Sequence, residues 1–382
     1  MAAKAQGRIS KVIKAGGFSH VRAVQIGGGF PVVIQTMWKD RLCFDDLEGA
    51  AIRIEKLAAM GCGLLRFAVP DIQSAEVLGR LAEMSSMPLV ADIHFDYKIA
   101  LRCMDFPIAK IRINPGNIGG REKSSVVLEK AAARKIPIRI GVNAGSLPLD
   151  LRARVNAADT DVADMDVASM DAGEALAQAA EREMAVFDEF GFSDFLVSMK
   201  ASGIADTIKA NRILANRTDA PLHVGVTEAG PLTAGVARNT AALLTLLTEG
   251  IGDTIRVSLS DTMENEVIAG REILAAAAEL APENTRLKRA GVKIVSCPRC
   301  GRHGFDTHGF TNRWMPKLYA LDKDITAAVM GCEVNGPQEA KHADLGITGA
   351  GDKVLIFKRG KIIKTISVDE ADIVFEEELS KL

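Results

Sequence analysis

Residues 31–70 read PVVIQTMWKDRLCFDDLEGAAIRIEKLAAMGCGLLRFAVP. An apolar run rich in Val and Ile (31–37) gives way to an amphipathic segment (46–61) that ends on Gly61, and a second apolar run (64–70) follows. A short apolar run, a helical period and another short run describe two parallel strands joined by a crossover helix, because antiparallel neighbours need only a tight turn. The glycine past the last periodic residue is the expected helix C-cap.

The unit recurs along the chain. PLVADIHF (88–95), AKIRINPG (109–116), PIRIGVN (137–143), DFLVSMK (194–200), PLHVGVTEAG (221–230) and TIRVSLS (254–260) bring the apolar runs to eight, with amphipathic segments such as REKSSVVLEKAAARK and TAALLTLLTEG between them. Eight strand–helix units in about 250 residues predict a (β/α)8 TIM barrel. An open doubly wound sheet is the weaker alternative, because no Gly-x-Gly-x-x-Gly follows the first run. The acidic stretch ADTDVADMDVASMDAGEA (158–175) reads as a solvated loop leading into a helix. PENTRLKRAG (282–291) breaks the pattern and suggests a boundary, with the barrel in 1–282 and a second domain in 283–382. That second domain reads as a small α+β unit with a hairpin turning at Arg359-Gly360, and Ser367 and Glu370 have capping-box spacing for a terminal helix.

The 382 residues are 48% hydrophobic and 25% charged, as in a soluble globular protein. A formal net charge of -2 gives no electrostatic reason to expect nucleic acid or an anionic membrane. No apolar stretch approaches the roughly 20 residues that cross a bilayer, and the N-terminus lacks a continuous apolar segment of secretory type. Six cysteines are too few for a disulfide scaffold, so a reducing cytoplasm is the expected compartment. Cys43, Cys62 and Cys103 read as small buried side chains.

Polar residues recur near the ends of strands that should otherwise be apolar: Arg66, Asp92, His94, Arg112, Asn114, Arg139, Asn143, Lys200, Glu228, Arg256 and Ser258. Several are i, i+2 pairs, which share one face of a strand. In a barrel that face can point inward, and the C-terminal strand ends form the active-site mouth. Arg66, Arg112, Arg139, Lys200 and Arg256 outnumber the carboxylates Asp92 and Glu228, so an anionic ligand is expected, and phosphate or diphosphate suits bidentate arginine.

The remaining thiols cluster late. Cys297-Pro-Arg-Cys300 places two on one turn, and MGCEVNGPQEA (330–340) brings Cys332 to the end of an apolar run, with Glu339 after a turn. On spacing alone, structural zinc completed by His303, His308 or His342 and an iron–sulfur cluster are equally good readings. A redox disulfide leaves Cys332 unexplained.

SCPRCGR (296–302) and MGCEVNGPQEA, together with VADIHFDYKIAL, KIRINPGNIG, PIRIGVNAGSL, PLHVGVTEAG and EGIGDTIRVSL in order, resemble the bacterial 4-hydroxy-3-methylbut-2-enyl diphosphate synthases over nearly the whole chain. The resemblance implies a TIM barrel followed by a [4Fe–4S] domain, with Cys297, Cys300, Cys332 and Glu339 as cluster ligands. It implies catalytic roles for Glu228, Glu339 and Asn335, with the strand-end residues above binding substrate. It implies reductive ring opening and dehydration of 2-C-methyl-D-erythritol 2,4-cyclodiphosphate in the non-mevalonate isoprenoid pathway. Flavodoxin or ferredoxin would donate the electrons, and the chain would form a homodimer. Three departures stand out: Trp38-Lys39 at the barrel mouth where the family has Thr-Asn, Arg238-Asn239 for a Lys-Ser pair at a helix start, and Gln338 for a Gly. Two alternatives remain at this point: a paralogue with the same cluster acting on another phosphorylated substrate, and a non-enzymatic, zinc-stabilised metabolite-binding protein.

Overall fold

The computed structural model describes residues 8–114, 116–159, 169–287, 291–298, 300–301, 303–333 and 336–382. The chain divides into two compact units, Met1–Arg289 and Ala290–Leu382.

The first unit opens with an antiparallel hairpin, β1 (Ile13–Ala15) and β2 (Val24–Ile26). Eight parallel strands follow: β3 (Val33–Met37), β4 (Leu64–Ala68), β5 (Leu89–Asp92), β6 (Lys110–Ile113), β7 (Ile138–Asn143), β8 (Phe195–Lys200), β9 (His223–Val224) and β10 (Thr254–Ile255). They pair in the order β8-β7-β6-β5-β4-β3-β10-β9. A parallel bridge between Val197 and Leu222 joins the two outer strands, with Val197 N donating to Pro221 O at 2.9 Å, so the sheet closes on itself as a barrel. Ile13, Ala15, Val21 and Ile26 of the hairpin segment pack on Leu64, Val90, Ala109 and Leu196. Leu64 opens its strand and Ala109 directly precedes β6, so the hairpin plugs the N-terminal end and leaves the C-terminal end for ligands.

The sequence sets the crossover helices at both ends. Asp71, Asp96, Asp171 and Thr262 each accept a backbone N–H in the first turn of the helix they precede. Gly61, Gly191 and Gly250 take positive φ one residue beyond the C-caps of their helices, as the apolar period predicts. The helix Ala172–Glu189 emerges from the acidic stretch, of which residues 160–168 lie outside the described residues. The last two apolar runs form shorter strands than their lengths suggest. Gly225 explains the stop: a Cβ there would lie 2.2 Å from the Arg256 carbonyl oxygen, so the two backbones converge where the ladder ends.

PENTRL belongs physically to the barrel, since Leu287 is buried and Arg286 pairs with Asp253 at 2.8 Å. The second unit is a five-stranded sheet ordered β11 (Lys293–Ser296), β12 (Thr326–Met330), β13 (Leu345–Ala350), β14 (Lys353–Lys358) and β15 (Lys361–Ser367). The first three strands run parallel and the last two are antiparallel. The β14–β15 hairpin turns at Arg359 and Gly360, both at positive φ, as its sequence predicts. Ser367 and Glu370 form the reciprocal capping box ahead of the helix Ala371–Ser380. Phe310, Trp314 and Phe375 pack together in this unit's core. Among the described residues no helix is long and apolar enough to cross a membrane.

Candidate active site

The interior of the barrel is polar where most barrels are aliphatic. Lys110 Nζ on β6 donates to Gln35 Oε1 on β3 at 3.2 Å, and those strands are separated by two others, so the contact crosses the barrel. Period two then points Arg112 inward as well. Its Nη1 donates to Asp92 Oδ1 at 3.1 Å and lies 2.8 Å from His94 Nε2, while Nη2 donates to the Gly141 carbonyl at 3.3 Å. Gly141 is required there, because an added Cβ would sit 2.3 Å from Arg112 Nε. Arg66 Nε lies 3.5 Å from the other Asp92 oxygen, and its Nη2 reaches Met37 Sδ at 2.9 Å.

Asp92 is therefore shared between two arginines. Burial pushes its carboxyl up, but Arg66, Arg112 and Arg139 outweigh that and hold it below the usual range. His94 is exposed, yet burial of part of its ring and the surrounding arginines push it down, so it is neutral near pH 7. An arginine only donates, so His94 Nε2 accepts from Arg112 and the ring proton sits on Nδ1.

The cations exceed their partners. Among the described residues Lys110, Arg139 and Lys200 have no carboxylate at ion-pair distance, although they are 0%, 1% and 7% exposed. Nε and Nη1 of Arg139 are buried without any acceptor. Burial, then Arg139 and Arg66, pushes Lys110 well below the usual lysine value. Burial, then Arg139 and Arg256, does the same to Lys200. Burial pushes Arg66 down to about 10. An arginine stays protonated in a protein, so the strong downward push on Arg139 marks an unmet need for a counter-ion. Beneath them His223 Nδ1 meets Thr254 Oγ1 at 2.7 Å, and burial first, then Lys200 and Arg139, holds the ring neutral.

The structure revises the expected counter-charges. Glu228 is exposed on the loop after β9, in a left-handed conformation at φ 52°. The second buried carboxylate beside these cations is Glu266, in the first turn of the helix Met263–Leu280. Thr36 Oγ1 donates to its Oε2 at 2.5 Å, and Leu259 N and Lys39 Nζ reach its Oε1, each at 3.0 Å. Arg256 approaches both oxygens at 3.4 Å. Burial raises the Glu266 carboxyl, but Arg256, Thr36, the Leu259 amide and Lys39 together hold it low.

Trp38, expected at the barrel mouth, and Arg238-Asn239, expected at a helix start, are also relocated. Trp38 is buried, stacked on Phe67 at 5.3 Å with the Arg53 guanidinium over its face, so it belongs to the wall of the barrel. Arg238 and Asn239 lie inside the helix Leu232–Thr248, where buried Asn239 accepts from Val226 N and donates to Gly235 O. The other predicted residues sit near the C-terminal strand ends. Asn114 Oδ1 accepts from Gly116 N, Asn143 closes the turn with Ser146, and the Ser258 carbonyl receives Asn239 Nδ2. Lys110, Gln35 and Glu266 were not among the predicted residues. Lys110 had a signal, since it shares the period of Arg112 and Asn114.

In the second unit, Cys297 follows β11 and Cys332 comes two residues after β12, at the ends of neighbouring parallel strands. Cys297 N donates to Val329 O at 2.9 Å and Gly304 N to Gly331 O at 2.9 Å, which ties the SCPRC turn to the strand carrying Cys332. Cys297 Sγ lies 3.6 Å from where a Cβ on Gly331 would stand. Glu339 ends the short helix Gly336–Glu339 and is exposed, and Gly336 packs so tightly on Thr348 that a Cβ would meet Oγ1 at 2.5 Å. No disulfide pairs any cysteine. Among the described residues no three His, Cys, Asp or Glu side chains converge on a metal-holding geometry. Asn335 lies outside the described residues. Of the early cysteines, Cys62 and Cys103 are buried as expected, and burial pushes Cys103 up to about 12. Cys43 is exposed instead, where its sulfur accepts the Asp45 N–H at 3.4 Å and caps a short turn.

Comparison with known proteins matches two family descriptions in order, the GcpE TIM-barrel domain over residues 19–271 and the GcpE protein C-terminal domain over residues 293–381. A relative from Treponema pallidum (strain Nichols), named 4-hydroxy-3-methylbut-2-en-1-yl diphosphate synthase (flavodoxin), is 52% identical over 96% of this chain and 90% of its own length. One of the same name from Treponema denticola is 48% identical over 98% of this chain and 99% of its own. Another, from Thermodesulfovibrio yellowstonii, is 41% identical over 95% and 97%. A cation-lined barrel followed by a thiol-bearing sheet domain, matched along its length to both family domains, identifies the chain as a member of the GcpE family.

Proposed function

We propose that this chain is a 4-hydroxy-3-methylbut-2-en-1-yl diphosphate synthase, opening and dehydrating 2-C-methyl-D-erythritol 2,4-cyclodiphosphate with two electrons from flavodoxin. The observation that carries the reading is the uncompensated charge of the barrel: Lys110, Arg139 and Lys200 are buried without carboxylate partners among the described residues, beside Arg66, Arg112 and Arg256, which share Asp92 and Glu266. A cyclic diphosphate supplies the missing negative charge. Arginine forks suit its oxygens, and desolvation strengthens each contact. The relatives bear this name.

Within the barrel, Arg139 and Lys200 hold the diphosphate, with Arg66, Arg112 and Arg256 around it. His94 presents its Nδ1–H as a neutral donor, and Asp92 fixes Arg66 and Arg112 so that they do not follow the ligand. Glu228 is assigned to proton transfer at the departing oxygen; a non-glycine residue held in the left-handed region is a costly arrangement that concentrates at functional sites.

The thiol-bearing turns suit an iron–sulfur centre. Three cysteines at two adjoining turns and a carboxylate on the short helix that follows are donor types that iron–sulfur clusters accept, and Cys297 and Cys332 already stand on neighbouring strand ends. Cys297, Cys300, Cys332 and Glu339 would hold a [4Fe–4S] cluster, and Asn335 keeps the catalytic role that the family resemblance implies. When bound, that cluster supplies single electrons and, at the carboxylate-held iron, a Lewis acid. The reading includes a cytoplasmic homodimer. Trp38 lies in the barrel wall and Lys39 pairs with Glu266 rather than facing the ligand, so these departures give no reason to prefer another substrate.

The test is turnover. Anaerobically prepared chain with reduced flavodoxin should convert the cyclodiphosphate to 4-hydroxy-3-methylbut-2-enyl diphosphate, and Arg139→Met should lower kcat/KM by about 100-fold or more. A cluster-loaded chain that leaves the cyclodiphosphate intact would overturn the assignment.

A further inference from the structure

Glu266 receives more donors than one carboxylate needs. Thr36 Oγ1 occupies Oε2 at 2.5 Å, and the Leu259 amide and Lys39 Nζ both occupy Oε1 at 3.0 Å. Arg256 comes last, with Nε and Nη2 both at 3.4 Å, well outside the 2.7–2.9 Å typical of charge-assisted contacts. Its third nitrogen, Nη1, faces only Met37 Sδ at 3.6 Å. Arg256 is thus loosely held by a carboxylate whose lone pairs are largely taken.

Lys39 is fixed in that role. Besides Glu266 it donates to the Leu259 carbonyl at 2.8 Å and to the Asp261 carbonyl, so its amine is clamped on the loop after β10. Glu266 is fully enclosed, and its charge is divided between one cation anchored to the backbone and one that is not. Without Lys39, the same carboxylate would draw Arg256 into a close bidentate pair and withdraw it from the barrel.

We propose that Lys39 is a positioning residue for anion binding: by occupying Glu266 it keeps the Arg256 guanidinium available to the ligand's phosphate oxygens. The proposal rests on the reading of the barrel as a diphosphate site.

A double-mutant cycle on the full chain tests it, with inorganic pyrophosphate as the probe and affinity read by calorimetry. Lys39→Met should weaken binding by about 10-fold in the native background and by less than about 2-fold when Arg256 is already Gln, the non-additivity expected of coupled residues. Lys39→Arg should restore most of the affinity. In the loaded enzyme, Lys39→Met should raise KM with little change in kcat, a split that general destabilisation would not produce. Lys39→Gln, which keeps a donor for the two carbonyls, replaces the Met variant if that one fails to fold. Equal losses in both backgrounds, the mark of a long-range charge effect, would overturn the positioning role alone. A native chain that binds no pyrophosphate would overturn the barrel reading and this proposal together.

Discussion

Lys110 carries a cost of burial. It is fully buried, its hydrogen-bond partner is the Gln35 amide oxygen, and Arg139 and Arg66 repel its charge. Such a lysine is more protonated in the unfolded chain than in the folded one between its lowered value and the ordinary value near 10.4. Across that window stability climbs with pH, and below it the full cost is present. Replacing the amine by a thioether of similar length should therefore help the empty protein and harm the liganded one. Lys110→Met is expected to unfold at the same or a higher temperature than the native chain at pH 7, to lose that advantage as pH rises through the alkaline range, and to bind pyrophosphate about 10-fold more weakly. Thermal melts from pH 7 to 10 check this; a variant clearly less stable at pH 7 would show Lys110 to be a structural residue. At this scale sequence reading caught residues whose chemistry stands out on a strand, such as Arg112 and Arg139. It missed Glu266 because an acidic residue in a helix's first turn is already explained by the helix dipole, and nothing local shows that this one turns inward.

The strand is the unit that turns these side chains into a site. Arg112 spans from β6 across β7 to reach its carbonyl, and it can do so only because residue 141 has no side chain. Gly141→Ala would force either the guanidinium or the β7 backbone to move. The expected result is a stability loss of about 1–3 kcal/mol and pyrophosphate affinity reduced by about 10-fold or more, measured by denaturant titration and calorimetry. Unchanged affinity would show that Arg112 does not need its seat over β7. The β-strand periodicity behind the polar pairs was legible throughout β4 to β8. The ends of β9 and β10 were not, because the close approach of Gly225 to the Arg256 carbonyl is a contact between segments about thirty residues apart in sequence. Trp38, just past the end of β3, read as a mouth residue, but stacking on Phe67 takes it into the wall.

At the scale of the whole molecule, two units with separate cores divide the work. The apolar alternation fixes the first as a barrel, and its interior charge calls for an anion. In the second, the parallel pairing of β11 and β12 sets two cysteine-bearing turns side by side. Spacing alone left zinc and iron–sulfur equally open, because both accept thiolates from a CxxC turn. The carboxylate at Glu339 and the family match favour the cluster, and the proposed supply of electrons depends on it. Analysis of iron, acid-labile sulfide and zinc in the anaerobically purified chain tests that claim most directly. The expected result is brown protein with about four irons and about four sulfides per chain, falling sharply in Cys332→Ser. Colourless protein holding about one zinc and no sulfide would contradict it.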